Sequence, residues 1–229
     1  MSNVQLPQFP EVRHPLIAPL AQRSDEELLR LFQENADEGR YFTALLCRYT
    51  PIVYTLIWHS TRSAVQADYL FSLVWRHVFY ELRGLDLRQA TPKDAPELTL
   101  QNWLINLTAQ SINQVALPAV EEIQYSIKAA PPPLWCYVEQ ALDQLPPRQR
   151  LMTIMAQTYN WSETRIAAYL QAEGEQISET EVQSGLTEAY QQLEASLPAD
   201  LRTIYFDEPL DETQAGIAEG NLAGLLGKS

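Results

Sequence analysis

The sequence predicts an all-α protein, and three observations predict it. Apolar residues recur at spacings of three and four along most of the chain, the period of a helix with one buried face. Glycine is scarce, at 8 of 229 residues, which argues against a fold of tight β-turns. Most of the 15 prolines fall in the first 20 residues or between positions 92 and 147, where they separate periodic stretches. With 46% hydrophobic and 20% charged residues the chain has the material for two small helical domains joined by a Pro-rich linker.

Residues 1–23 carry Pro7, Pro10, Pro15 and Pro19 and read as an extended N-terminal arm. Ser24 opens the first helix with Glu27 three residues on, a capping-box pattern, and Leu28, Leu29, Leu31 and Phe32 form its apolar face. A second helix is expected over 40–60 through Phe42, Leu45, Leu46, Tyr49, Val53, Leu56 and Ile57, with Pro51 placed to kink it. A third, over 64–84, uses Val65, Tyr69, Leu70, Leu73, Val74, Val78 and Leu82, with Gly84 at its end. A polar loop over 86–97 precedes a fourth helix, expected over 98–117, with Leu100, Trp103, Leu104, Leu107, Ile112 and Val115 apolar. These elements make a first helical domain over 24–117.

The run Ala129-Ala130-Pro131-Pro132-Pro133 marks a semi-rigid linker, placed at 118–134. A second domain over 135–197 then holds short helices at 135–144, 148–159 and 162–171, and a longer one at 178–197. Ser162 and Ser178 are its capping residues, and Glu181 completes a capping box with Ser178. Two short helices joined by a connecting segment give this domain a helix-turn-helix-like pattern. The tail over 198–229 is acidic, with Ile204-Tyr205-Phe206 and Leu222 to Leu226 as apolar exceptions.

The net charge of −13 is unevenly spread. Residues 1–93 carry 10 basic and 10 acidic groups, 94–150 carry 3 and 6, and 151–229 carry 3 and 13. The last third should therefore repel phosphate backbones, whose binding draws on Lys and Arg. Cys47 and Cys136 lack metal or redox spacing and read as reduced, buried thiols of a cytoplasmic protein. His14, His59 and His77 have no carboxylate or cysteine at ligand spacing, so no metal and no cofactor are expected. Without a Gly-rich phosphate loop, a nucleophile elbow or a histidine paired with either cysteine, the chain reads as a non-enzyme. No apolar stretch approaches the roughly 20 residues of a membrane span.

Several words of sequence point further. They are Ser24-Asp25-Glu26-Glu27-Leu28-Leu29 leading to Phe42, Leu45, Arg48-Tyr49, Pro51 and Val53-Tyr54; the Trp103-Leu104 pair; and Ala141-Leu142 with Leu145-Pro146-Pro147-Arg148-Gln149-Arg150, followed by Ser162, Ile166-Ala167 and Leu170. On these the chain resembles the sigma-70 family of bacterial RNA polymerase initiation factors, in the short form that keeps the second and fourth conserved regions. The resemblance covers about 24–117 and 139–197.

The resemblance implies a protein that binds bacterial core RNA polymerase and directs promoter recognition and melting. By it, Asp68, Tyr69 and Ser72 face the polymerase clamp, while Gln101, Trp103, Asn106, Gln110, Asn113 and Gln114 face the melted minus-10 strand. It likewise makes the helix from Ser178 a major-groove helix, with Ser178, Thr180, Gln183 and Ser184 toward promoter DNA. An anti-sigma or other regulatory protein is a further implied partner. Trp103 has a second reading as a core tryptophan among Leu100, Leu104 and Leu107.

Three departures from the family pattern shape the expectation. The clamp-binding word is reduced to Asp68 followed by Ser72 and Leu73, and no Lys or Arg follows the melting helix between Asn113 and Glu122. Between Leu170 and Ile177 the chain carries Gln171-Ala172-Glu173-Gly174-Glu175-Gln176, more than a tight helix-turn-helix joint contains. The helix after it holds Glu179, Glu181, Glu188 and Glu194 and no basic residue, so its DNA affinity alone is expected to be weak. The alternative is a sigma-like interaction protein that keeps the scaffold and has lost DNA reading.

Overall fold

The computed structural model describes residues 4–87, 99–123, 125–128 and 130–207. The expected loop over 86–97 lies mostly outside these residues, as do Leu98 and the tail from 208, including Leu222 to Leu226. Among the described residues the secondary structure is helical throughout, with α1 Asp25–Glu34, α2 Gly39–Trp58, α3 Ala64–Glu81, α4 Leu100–Gln114, α5 Pro132–Gln144, α6 Pro147–Thr158, α7 Glu163–Ala172, α8 Glu179–Ser196 and α9 Ala199–Arg202. The chain divides into two compact units, Met1–Cys136 and Tyr137–Ser229, and the division falls within α5. No helix among the described residues is long and apolar enough to cross a membrane.

Helix starts are set by hydroxyl caps. Ser24, Ser63, Thr99, Ser162 and Ser178 each accept a hydrogen bond from the backbone N–H three residues on, which satisfies a donor that the helix itself cannot. At α8 the box is closed, since the Ser178 N–H donates to Glu181 Oε2 at 2.7 Å.

In the first unit, α2 packs against α1, α3 and α4. Its core is aromatic. The Phe42 ring has centroids of Phe79 at 5.0 Å, Phe32 at 5.8 Å and Trp75 at 5.8 Å, the last and first edge-on. Phe71 extends the cluster to Tyr54 at 5.4 Å. Pro51 stays inside α2 on an exposed position.

The N-terminal arm is not extended. It forms 3-10 turns at Pro10–Arg13 and Ala18–Gln22, each opened by a proline, and it buries Phe9, Glu11, His14 and Ile17. Phe9 stacks on Phe71 at 6.1 Å. Arg48 of α2 then ties the arm's end down. Its guanidinium donates to Asp25 Oδ1 at 2.6 Å and to the carbonyls of Arg23, Ala21 and Leu20 at 2.7, 3.1 and 3.3 Å. Four acceptors in one fan suit a guanidinium and cannot be met by lysine.

The expected linker is also partly helical. Pro132 and Pro133 start α5, since their fixed φ suits a first turn and their absent N–H groups would be unpartnered there anyway. In the second unit, α8 packs on both α6 and α7 around Met152, Met155, Ile166, Ala167, Leu170, Ile177, Val182 and Leu186. Gly185 permits the close approach, because a Cβ there would meet Met152 Cε at 2.6 Å. The start of the expected tail belongs to this unit too, with Leu201, Ile204 and Tyr205 of α9 and the following turn buried.

Candidate functional site

The 15 residues of α4 contain no charged side chain. Leu100, Leu104, Leu107, Thr108 and Ser111 face the bundle. The two buried hydroxyls are satisfied along the helix itself, Thr108 Oγ1 donating to Leu104 O at 2.7 Å and Ser111 Oγ to Leu107 O at 2.9 Å. Burying this stripe turns Gln101, Asn102, Asn106, Gln110, Asn113 and Gln114 outward, and all six are exposed. Trp103 stands at the edge of the stripe and is half-buried, so it packs against the bundle and still shows part of its ring.

A solvated helix face ordinarily carries charges. Apart from Ala109 this one carries only amides, each offering a carbonyl acceptor and two N–H donors. Such a ridge has no net charge to set against phosphate. It can match the hydrogen-bonding edges of unpaired bases, with the Trp103 ring as a stacking surface beside it.

The other predicted residues are placed differently. On α3, Asp68 and Tyr69 are half-buried and Ser72 is buried, its hydroxyl donating to Tyr69 O at 2.7 Å. Asp68 Oδ1 accepts a hydrogen bond from the Tyr54 hydroxyl at 2.7 Å. Burial raises the Asp68 carboxyl above its ordinary range, while the Tyr54 hydrogen bond and the charge of Lys128 pull it back. Burial pushes the Tyr54 phenol far up in turn, with Asp68 adding to the effect. Ser72 is therefore not part of an exposed surface.

Ser178, Thr180, Gln183 and Ser184 are all exposed on α8, although the Ser178 hydroxyl is engaged in the cap. Val182, Leu186, Ala189 and Leu193 form the buried stripe of this helix. Glu179, Glu181, Glu188 and Glu194 are exposed, so the outward side is acidic and offers no cation to a phosphate. Hydrogen bonds from the Ser178 backbone and hydroxyl hold the Glu181 carboxyl below its ordinary range.

The joint between α7 and α8 is a helix stop followed by an extended passage. Gly174 adopts φ 94°, and the N–H groups of Gly174 and Glu175 donate to Gln171 O and Leu170 O, both at 3.0 Å. This paired closure with a left-handed glycine is a Schellman stop. Gln171 Nε2 then donates to Ile177 O at 2.7 Å, which returns Ile177 to the core.

Set against protein-family models, curated proteins and solved structures, the chain gives no match. The reading of the two surfaces thus rests on their residues.

Groups around Asp68 escaped the sequence reading. Tyr54 and Gln66 come from α2 and α3, while Pro118, Tyr125 and Lys128 come from the segment after α4. Gln66 Nε2 donates to Pro118 O at 3.1 Å, and the Tyr125 hydroxyl donates to Ala130 O at 2.7 Å. These partners lie far apart along the chain and follow no helical period, so no local signal could have found them.

Proposed function

We propose that this protein is a sigma-70-type transcription initiation factor, which binds bacterial core RNA polymerase and opens promoter DNA with α4. The observation that carries the reading is the uncharged ridge of Gln101, Asn106, Gln110, Asn113 and Gln114 beside a partly exposed Trp103. The words of sequence that resemble the family support it. In this reading the polymerase supplies the positive surface that holds the DNA, and α4 supplies the groups that capture flipped bases. The second unit contributes little affinity for duplex DNA, because α8 presents carboxylates.

A second reading is favoured by α8 alone. Its exposed Glu179, Glu181, Glu188 and Glu194 suit a sigma-like interaction protein that has kept the scaffold and lost DNA reading. One experiment separates the two. The full chain is mixed with purified core polymerase, the complex is isolated, and run-off transcription is measured from a library of promoters. Complex formation with specific transcripts supports the first reading; a complex without transcripts supports the second. No complex at all removes both.

A further inference from the structure

We propose that the connector between α4 and α5 is an autoinhibitory strap, which covers the Gln66–Ser72 face of α3 and must be displaced before a partner docks there. This rests on the reading of Asp68, Tyr69 and Ser72 as a docking face. All the residues concerned belong to the first unit.

The strap is fastened at two places. At its start, the Gln66 side-chain amide holds the Pro118 carbonyl at 3.1 Å. At its far end, Ile127 is buried, the Tyr125 hydroxyl closes back onto Ala130 O, and the Ser72 hydroxyl lies within hydrogen-bonding reach of the Tyr125 phenol. The Lys128 ammonium is close enough to act on Asp68. So two of the three side chains that would meet a partner, Asp68 and Ser72, are already occupied by the chain itself.

Between these fastenings the connector holds a single 3-10 turn, Val120–Glu122, whose residues are all exposed. Its polar attachments to α3 are one amide-to-carbonyl bond, one phenol–hydroxyl contact and one exposed charge acting on a carboxylate, each individually weak, and Ile127 adds a buried apolar anchor. Releasing the connector leaves in place the ring contacts among α1, α2 and α3 that build the core of the bundle. A partner that competes for the same face binds in proportion to the fraction of molecules with the strap open.

The test uses the full chain and purified core polymerase. Gln66→Cys with Ala119→Cys places two thiols across the first fastening, and a short bismaleimide locks it. Native Cys136 is buried and burial pushes the Cys47 thiol far up, so both react poorly. The locked protein should bind polymerase about tenfold more weakly than the same variant unreacted, and Tyr125→Ala about tenfold more tightly than the parent. Tyr125→Phe keeps the ring and removes only the hydroxyl contacts. It should tighten binding by about threefold, and it carries the test if Tyr125→Ala does not fold. Equal affinity of locked, unlocked and Tyr125 variants overturns the strap while leaving the docking reading intact. Absence of binding in every form, Tyr125→Phe included, overturns the docking reading and the strap with it.

Discussion

The two units expose helices of opposite character. In the first, α4 turns out an uncharged row of amides, and the core behind it is built from interlocked aromatic rings. In the second, α8 turns out four glutamates, and the core behind it is methionine and aliphatic, gathered on Gly185 and Ala189. Both helices bury an apolar stripe of similar spacing. Packing therefore does not explain what they show to solvent. Under the proposed function the amide row would read base edges, and the acidic row would disfavour contact with phosphates.

The largest expected effect is in the aromatic core. Phe42→Ala removes a fully buried ring with three aromatic neighbours and should cost the first unit about 3–5 kcal/mol. Denaturant unfolding followed by hydrogen exchange resolved for each unit would measure it. Protection lost equally in both units would mean that they do not unfold separately.

Arg48→Ala should cost about 2 kcal/mol, since it removes the ion pair with Asp25 and the bonds to three arm carbonyls, and Arg48→Lys should recover only part of this. Faster exchange of the arm's amides is the accompanying signature. In the second unit, Gly174→Ala should cost about 1 kcal/mol by forcing a Cβ into the left-handed region, again read from the denaturation midpoint.

The surfaces offer a sharper contrast. The pair Asn106→Ala and Gln110→Ala changes only exposed residues of α4, so stability should move by less than about 0.5 kcal/mol. Run-off transcription should nevertheless fall by about tenfold, as expected for groups that contact opened bases. Unchanged transcription would take away the role assigned to the ridge.

The smallest effects are in pH, and they have opposite signs in the two units. Asp68 is raised by folding, so the folded state holds its proton above the ordinary 3.8. Stability from this group is greatest at low pH and falls as pH rises through the raised value. Glu181 is lowered, so its contribution is present above the ordinary 4.5 and lost as pH falls through the folded value. Asp68→Asn and Glu181→Gln, each followed by urea midpoints across the acid range, should flatten these slopes in opposite directions.

Much of this was legible along the chain. The helical periods, the hydroxyl caps at Ser24, Ser162 and Ser178, and the buried stripe of α2 follow from residues within one or two turns of each other. On α3 the stripe is rotated from the expected one, since Val65 is exposed and Phe71, Trp75 and Phe79 are buried. The outward amides of α4 follow in the same way, because the apolar positions of a helix decide by exclusion which side is left for solvent. Trp103, readable two ways, lies at the margin and is half-buried.

What only the tertiary structure decided are contacts between distant segments. Proline-rich stretches read as extended from local rules, yet the arm curls into 3-10 turns because Phe71 and Arg48 stand ready to receive it. Ser72 has the polarity of a surface residue but is buried, and Asp68 is engaged by Tyr54 from another helix. Local sequence sets which backbone shapes are cheap; it does not say which distant side chain will be waiting, because that depends on how the helices pack.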